Sequence, residues 1–434
     1  MTDITFPDGF LWGTATAAHQ VEGGNDRSDW WAWEQRSGSP VPEPSGRACE
    51  HYARYPDDVR MLADLGFNTY RYSIEWARIQ PADGEFDQSQ LDHYRRMTET
   101  VRAAGLTPMV TLHHFTLPTW VADAGGWTAP STPEKFAGYC ARVVETLDGL
   151  VDWWCTLNEP GNVAVGAYLG LFDWPPGSHD MGSYDAAVRG LLRGHRLALD
   201  VVKSRLPEAR VGATHGMQEW EANAAGDAPM RQARRMFEDV FLEASGEDDY
   251  IGVQTYTRVP VDLPRVLGPA ARLVADVAPV RRLVFPTVMR AAFRTMSASD
   301  VGPAGDAAVS RTQMGYEFWP EAIAATLRRA ARMHPGKDLV VTEHGIATAD
   351  DTEREEFIRR GLSAVAEVMG EGLPVRGYLY WSLMDNFEWA HGYAPTFGLI
   401  AVDRATMERT VRPSGRMLGE IARTGQLRQP DAAR

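Results

Sequence analysis

The sequence predicts a (β/α)8 barrel, and three observations carry that prediction. Short β-like runs alternate with helix-like runs along the 434 residues, and eight β-like runs can be counted. The length suits one α/β barrel of about 250 to more than 400 residues, although up to about three smaller domains would also fit. The rival for such alternation is a doubly wound sheet, whose nucleotide signal G-x-G-x-x-G between the first strand and helix is missing here.

The strands are read in chain order, each from a short run rich in apolar, aromatic and β-branched residues. They are 10–18 (FLWGTATAA), 69–75 (TYRYSIE), 108–115 (PMVTLHHF) and 153–158 (WWCTLN) in the first half. The second half supplies 210–215 (RVGATH), 250–256 (YIGVQTY), 338–343 (DLVVTE) and 376–382 (RGYLYWS). Between them lie amphipathic patterns with apolar residues three and four apart, clearest at 186–206 and 320–333. No short repeat, low-complexity tract or interdomain linker interrupts the alternation, so a single domain spanning 1–434 is expected.

One segment, about 257–312, breaks the rhythm. From Val259 to Met296 it carries six arginines (Arg265, Arg272, Arg281, Arg282, Arg290, Arg294) and two aspartates (Asp262, Asp276), a net +4 among many Pro, Ala, Val and Leu. It reads as a long βα excursion with short helices, expected to pack as a lid over the barrel mouth. A docking surface for an apolar partner or an anionic membrane is the alternative.

Composition excludes several functions. Against 44 Lys and Arg stand 58 Asp and Glu, a formal net charge of −14, which argues against a nucleic-acid-backbone binder. No stretch reaches the roughly 18 to 20 apolar residues that would span a bilayer, so stable membrane insertion is not expected. The opening MTDITFPDGFLWGTATAAHQ has Asp3, no Lys or Arg, and no continuous apolar core, so a cytoplasmic location is expected. Cys49, Cys140 and Cys155 are far apart and form no C-x-x-C pair; buried thiols are expected.

In such barrels the reacting groups sit where strands end and βα loops begin. Glu159 follows the fourth run and Glu343 ends the seventh, so a barrel would aim both into one cleft. Two facing carboxylates are what acetal hydrolysis requires: one protonates the departing oxygen while the other attacks or stabilises the oxocarbenium-like carbon. Their separation decides between retention and inversion. His113 and His114 are adjacent, and strand neighbours point to opposite faces, so no shared metal is expected.

Longer blocks add a resemblance. FPDGFLWGTATAAHQVEG (6–23), TLNEP (156–160), VTEHG (341–345) and WSLMDNFEWAHGYAPTFGLIAVD (381–403) resemble glycoside hydrolase family 1, the β-glucosidase family, in family order over nearly the whole chain. The resemblance implies a retaining mechanism with no metal or organic cofactor, Glu159 as general acid/base and Glu343 as nucleophile. It also implies that Gln20, His114 and Asn158 surround the glycone, that Glu388 and Trp389 hold its outer hydroxyls, that Trp381 lies beneath the ring and that Phe397 forms a further wall. Tyr256, with Arg71, is the implied support of the nucleophile.

Three positions depart from the family pattern. His344 replaces the Asn of T-E-N-G, Gln254 replaces the Asn of N-x-Y, and Thr116 replaces the Asp of H-[FW]-D-L-P. All three are expected near the glycone, where they would alter sugar preference more than mechanism. Glu388 disfavours a 6-phosphoglycoside, because a carboxylate repels phosphate. The expected activity is a retaining exo-acting β-glycosidase of β-glucosidase type on terminal unphosphorylated β-D-glucosides, with β-galactosides or β-fucosides as secondary substrates, and the apolar, Arg-bearing excursion at 257–312 points to a large hydrophobic aglycone. Transglycosylation by the same residues and a non-catalytic sugar-binding barrel are the alternatives.

Overall fold

The computed structural model describes residues 3–298 and 310–428, with side chains omitted for 292–298. All eight β-like runs form strands, and together they close a barrel. They are β1 (Leu11–Ala15), β2 (Thr69–Ser73), β3 (Thr107–Thr111), β4 (Trp153–Asn158), β5 (Arg210–Gly216), β6 (Tyr250–Gln254), β7 (Asp338–His344) and β8 (Val375–Trp381). Each pairs in parallel with its sequence neighbour, and β8 closes onto β1 through Leu11↔Gly377 to Ala15↔Trp381. The first strand is shorter than its apolar run, because Ala18–Val21 already turns as a helix.

The principal helices outside the barrel are α1 (His51–Leu65), α2 (Gln88–Ala103), α3 (Thr132–Thr146), α4 (Met181–Arg205), α5 (Ala322–Met333), α6 (Asp351–Gly370) and α7 (Pro413–Thr424). Side-chain caps fix several starts: Asp87 accepts from the amides of Ser89 and Gln90, Asp180 from Ser183, and Asp350 from Thr352. Their apolar stripes meet the outward faces of the strands in one continuous core. Inside the barrel a second cluster of Met109, Tyr250, Val340 and Leu379, with Leu11 and Trp153 against it, fills the floor. A filled floor leaves the chemistry to the other end, where the strands finish.

Strict alternation would not aim both acids inward. On β7, Val340 faces the barrel interior and Val341 the helices, so period two alone would send residue 343 outward with Val341. A register shift between Val341 and Glu343 against β6 reverses the parity, and Glu343 turns in. On β4 a shift between Cys155 and Asn158 does the same for Asn158. Glu159 then leaves the strand in the left-handed region at φ 43°, immediately before Pro160 starts a helical turn.

The described part of the excursion after β6 lies beside the cavity, where a lid over the mouth was expected. Arg258–Val261 pairs in parallel with Glu219–Ala222, and helices Gly268–Asp276 and Ala278–Ala298 follow. The excursion is held at its side by buried Ala275 and Phe285, and no described residue between 257 and 312 lines the central cavity. The side chain of Arg294 and residues 299–309 lie outside the described part. Among the described residues no helix is long and apolar enough to cross a membrane. Cys49, Cys140 and Cys155 are free and buried.

Candidate active site

A cavity of about 560 Å3 opens at the strand ends, and it is lined by Gln20, His114, Asn158, Glu159, Tyr256, Glu343, Trp381, Glu388, Trp389 and Phe397. Every substrate-binding position marked in the sequence therefore lies on one surface, together with the two strand-end acids. Arg71 sits just beneath, on β2, with a relative exposure of only 1%.

Arg71 ties the two halves of the site together. Its Nη1 donates to Glu343 Oε1 at 2.6 Å, and its Nη2 donates to Asn158 Oδ1 at 2.6 Å. Its Nε donates to Thr111 Oγ1 at 3.1 Å. The second carboxylate oxygen of Glu343 accepts from Tyr256 Oη at 2.5 Å. Burial and the facing acids hold the Tyr256 phenol well above its usual range, so it remains a donor. Burial pushes the Glu343 carboxyl up, but the guanidinium and the phenol both oppose that rise.

Glu159 has a different environment. Among the described residues only Asn162 Nδ2 donates to it, at 2.7 Å, while burial and then the charge of Glu343 raise its pKa to about 8. The first proton taken up by the pair therefore settles on Glu159, and Glu343, held by a cation and a phenol, keeps its charge. Room for this carboxyl depends on Gly216, since a Cβ there would lie 2.7 Å from Glu159 Oε1.

The network also fixes which atoms face a ligand. Asn158 Oδ1 accepts from Arg71, from Gln254 Nε2 at 2.9 Å and from Thr214 Oγ1 at 3.0 Å, so its Nδ2 must be the atom 3.2 Å from His114 Nε2. Burial keeps the His114 imidazole neutral, well below its usual range, so Nε2 accepts and the proton rests on Nδ1. That Nδ1 has no partner among the described residues. Gln20 Nε2 donates to Asn386 Oδ1 at 3.0 Å and to the Phe387 carbonyl at 2.7 Å, leaving its Oε1 without a partner among the described residues. A buried donor and a buried acceptor thus wait at the cavity wall.

Trp381 Nε1 donates to Glu388 Oε1 at 3.2 Å, which holds the indole and the carboxyl side by side. Burial raises Glu388 to about 8. His114 stacks between Trp381 at 5.9 Å and Trp389 at 6.2 Å, and Tyr256 meets Phe397 edge-on. The lining also carries an apolar set, Phe115, Leu171, Phe172, Trp174, Met314 and Tyr316, beside the polar Asp173, Gln218 and His391. Among the described lining residues there is no Lys or Arg.

The three departures from the family pattern do not reach the cavity. His344 faces the helix layer: its Nδ1 lies 2.8 Å from Tyr378 Oη, its Nε2 3.2 Å from the Pro320 carbonyl, and its ring stacks on Phe357 at 4.5 Å. The register shift that turns Glu343 inward turns its neighbour outward. Thr116 instead donates to both carboxylate oxygens of Glu75, at 3.0 and 2.9 Å. Gln254 lies inside the barrel beneath the cavity, bonded to Asn158 and Thr214. The expectation that these residues reshape the glycone contacts is corrected accordingly.

His113 and His114 also separate as loop residues rather than strand neighbours, because β3 stops at Thr111. His113 Nε2 lies 3.3 Å from Trp127 Nε1, away from the cavity. Among the described residues no group of three or more His, Cys, Asp or Glu could hold a metal ion. Sequence reasoning missed Asn162, Gly216 and Asn386. Only Asn162 carried a local signal, three residues past Glu159 on the turn that follows it.

Comparison with known proteins agrees with this geometry. The family model described as glycosyl hydrolase family 1 matches residues 2–262 and 280–426. The chain is 34% identical to thermostable beta-glucosidase B of Thermobispora bispora, covering 98% of this chain and 92% of that protein. Among solved structures it superposes on beta-glycosidase BGL167 with a TM-score of 0.82 at 38% identity, covering 99% of this chain and 100% of the other. The beta-glycosidase of Pyrococcus horikoshii gives a TM-score of 0.84 at 33% identity over 99% and 97% of the two chains.

Proposed function

Because the chain belongs to glycosyl hydrolase family 1, we infer that it is a retaining, exo-acting β-glycosidase of β-glucosidase type, with the whole chain acting as one catalytic domain. The observation that carries this reading is the contrast between two buried carboxyls in one cavity. Glu343 is held ionised by Arg71 and Tyr256, while Glu159 is held protonated by burial and by the charge of Glu343.

Glu343 attacks the anomeric carbon as the bond to the aglycone breaks, and Glu159 delivers its proton to the departing oxygen. The resulting ester on Glu343 has no negative charge, so the main electrostatic reason for Glu159 to keep a proton disappears. Glu159 then takes a proton from water, whose oxygen attacks the anomeric carbon and releases the sugar with retained configuration. Tyr256 and Arg71 stay donors throughout, so Glu343 is a stabilised leaving group in the second step as well as an aimed nucleophile in the first. No step calls for a metal or cofactor.

The glycone meets Gln20 Oε1, His114 Nδ1, Glu388 and the faces of Trp381 and Trp389. An unphosphorylated sugar is favoured, since the described wall has acids and no cation to meet a phosphate. The aglycone is apolar, and its support comes from the wall of Phe115, Leu171, Phe172, Trp174, Met314 and Tyr316 rather than from the excursion. Three buried thiols suit a reducing compartment, and the cytoplasm is the proposed location.

The test is incubation with an activated 2-deoxy-2-fluoro-β-glucoside, followed by intact mass and peptide mapping. One sugar esterified to Glu343, absent in Glu343→Gln, is the expected result. Attachment to another residue, or no adduct with the glucose, galactose and fucose analogues alike, overturns the assignment.

A further inference from the structure

Seven large hydrophobic side chains are exposed among the described residues, and six of them fall within 23 positions: Val266 at 83%, Leu267, Leu273, Val277, Leu283 at 80% and Val288. They belong to the excursion, and residues 263–279 fall between the two spans matched by the family model. Apolar side chains scattered singly over a surface need no explanation, but a concentration of them does. On the helix Gly268–Asp276 the inward stripe is Ala271, Val274 and Ala275, which leaves Leu273 and Val277, four residues apart, facing out together.

The charge of the segment is predominantly positive. Between Arg265 and Arg290 there are five arginines and a single acid, Asp276, in a protein of net charge −14. Arg265 and Arg272 are exposed and make no ion pair among the described residues. Arg282 pairs with Asp185, and Arg290 donates to the carbonyls of Leu169 at 3.2 Å and His179 at 3.0 Å. Those last bonds fasten the second helix to the segment that carries Leu171, Phe172 and Trp174, the apolar wall of the cleft.

We propose that this face docks on an anionic lipid membrane. Exposed aliphatic side chains would enter the boundary between headgroups and acyl chains, while the arginines, with long apolar stems, meet lipid phosphates. A protein carrying −14 overall is repelled from an anionic surface except where its charge is locally reversed, and this excursion is where the reversal coincides with exposed apolar groups. Docking there sets the apolar wall of the cleft beside the bilayer without any spanning segment.

Co-sedimentation of the full chain with equimolar phosphatidylcholine and phosphatidylglycerol vesicles, against phosphatidylcholine alone, tests the proposal. Binding to the anionic vesicles that weakens between low salt and about 0.5 M salt is expected. Arg265→Glu with Arg272→Glu should lower the partition constant by at least about tenfold. Val266→Glu with Leu283→Glu should abolish binding, with circular dichroism and melting temperature unchanged because both positions are exposed. Equal binding to neutral vesicles overturns the charge argument. Absence of vesicle binding overturns the proposal outright, and a concentration-dependent dimer lost in Leu283→Glu would then assign the face to a second copy of the chain. The readout needs no substrate, so its failure leaves the proposed hydrolysis untouched.

Discussion

Replacing Tyr256 by Phe isolates one of the two groups that keep Glu343 charged. The phenol Oη lies 2.5 Å from Glu343 Oε2, and Arg71 Nη1 lies 2.6 Å from Oε1. Phe keeps the ring against Phe397 and removes only the donor. A hydrogen bond to a charged group contributes about 1.5 to 3 kcal/mol, and one pKa unit corresponds to about 1.4 kcal/mol, so losing it raises the pKa of Glu343 by about one to two units. The sign follows from the ionised form being the one that accepts the bond: without the donor, protonation competes better, and the nucleophile is neutralised at higher pH. The assay is kcat/KM for a nitrophenyl β-glucoside as a function of pH, which reports the groups of the free enzyme. The acid limb should move up by about one to two units, while the basic limb stays near the value of about 8 set by Glu159. An unmoved acid limb would show that Tyr256 does not hold the nucleophile. Movement of the basic limb instead would mean that the two acids have exchanged roles.

Two further substitutions probe the supports of the site. Gly216→Ala places a Cβ 2.7 Å from Glu159 Oε1 and should displace the acid/base, lowering kcat on the order of 100-fold with the melting temperature nearly preserved; unchanged kcat would show that the carboxyl moves aside at no cost. His344→Asn restores the residue usual in the family motif but removes the stack on Phe357 and the contacts to Tyr378 and Pro320, for a stability loss of about 1 to 3 kcal/mol by urea unfolding. The ratio of kcat/KM for glucoside over galactoside should not change, and a changed ratio would return His344 to the glycone.

Burial also carries a cost that the site accepts. Glu159 and Glu388 are both raised to about 8, and so is Asp29, a buried acid outside the cavity that desolvation dominates and Glu75 reinforces. Each folded-state value stands above the ordinary carboxylate range, so each group weakens the fold progressively as pH rises towards about 8, from 4.5 for the two glutamates and from 3.8 for Asp29. The two in the cavity, Glu159 and Glu388, suit proton transfer and sugar binding better than they suit stability.

The eight strands were legible in the sequence because each is a short run buried over most of both faces, and such burial favours apolar, aromatic and β-branched residues, with Arg71 a paired exception. The positions of Glu159 and Glu343 were legible too, since each stands where such a run ends and a barrel gathers all its strand ends at one mouth. Gln20, Trp381, Glu388 and Trp389 were reached through the resemblance of their motifs, and they share one cavity. Sequence could not decide which way individual side chains turn. Period two is broken by the shifts at Val341/Glu343 and Cys155/Asn158, and those shifts depend on pairing with neighbouring strands, not on local propensity. The same shift that aims Glu343 at the cavity sends His344 to Phe357, and Thr116 turns to Glu75, so substitutions beside the site in sequence are outside it in space. Likewise, the composition of about 257–312 showed a basic, apolar excursion, but whether its described part covers the mouth or lies beside it depended on the packing of Ala275, Phe285 and Arg290. Composition fixes how much apolar surface a segment must hide, whereas the surfaces available to hide it exist only once the barrel has closed.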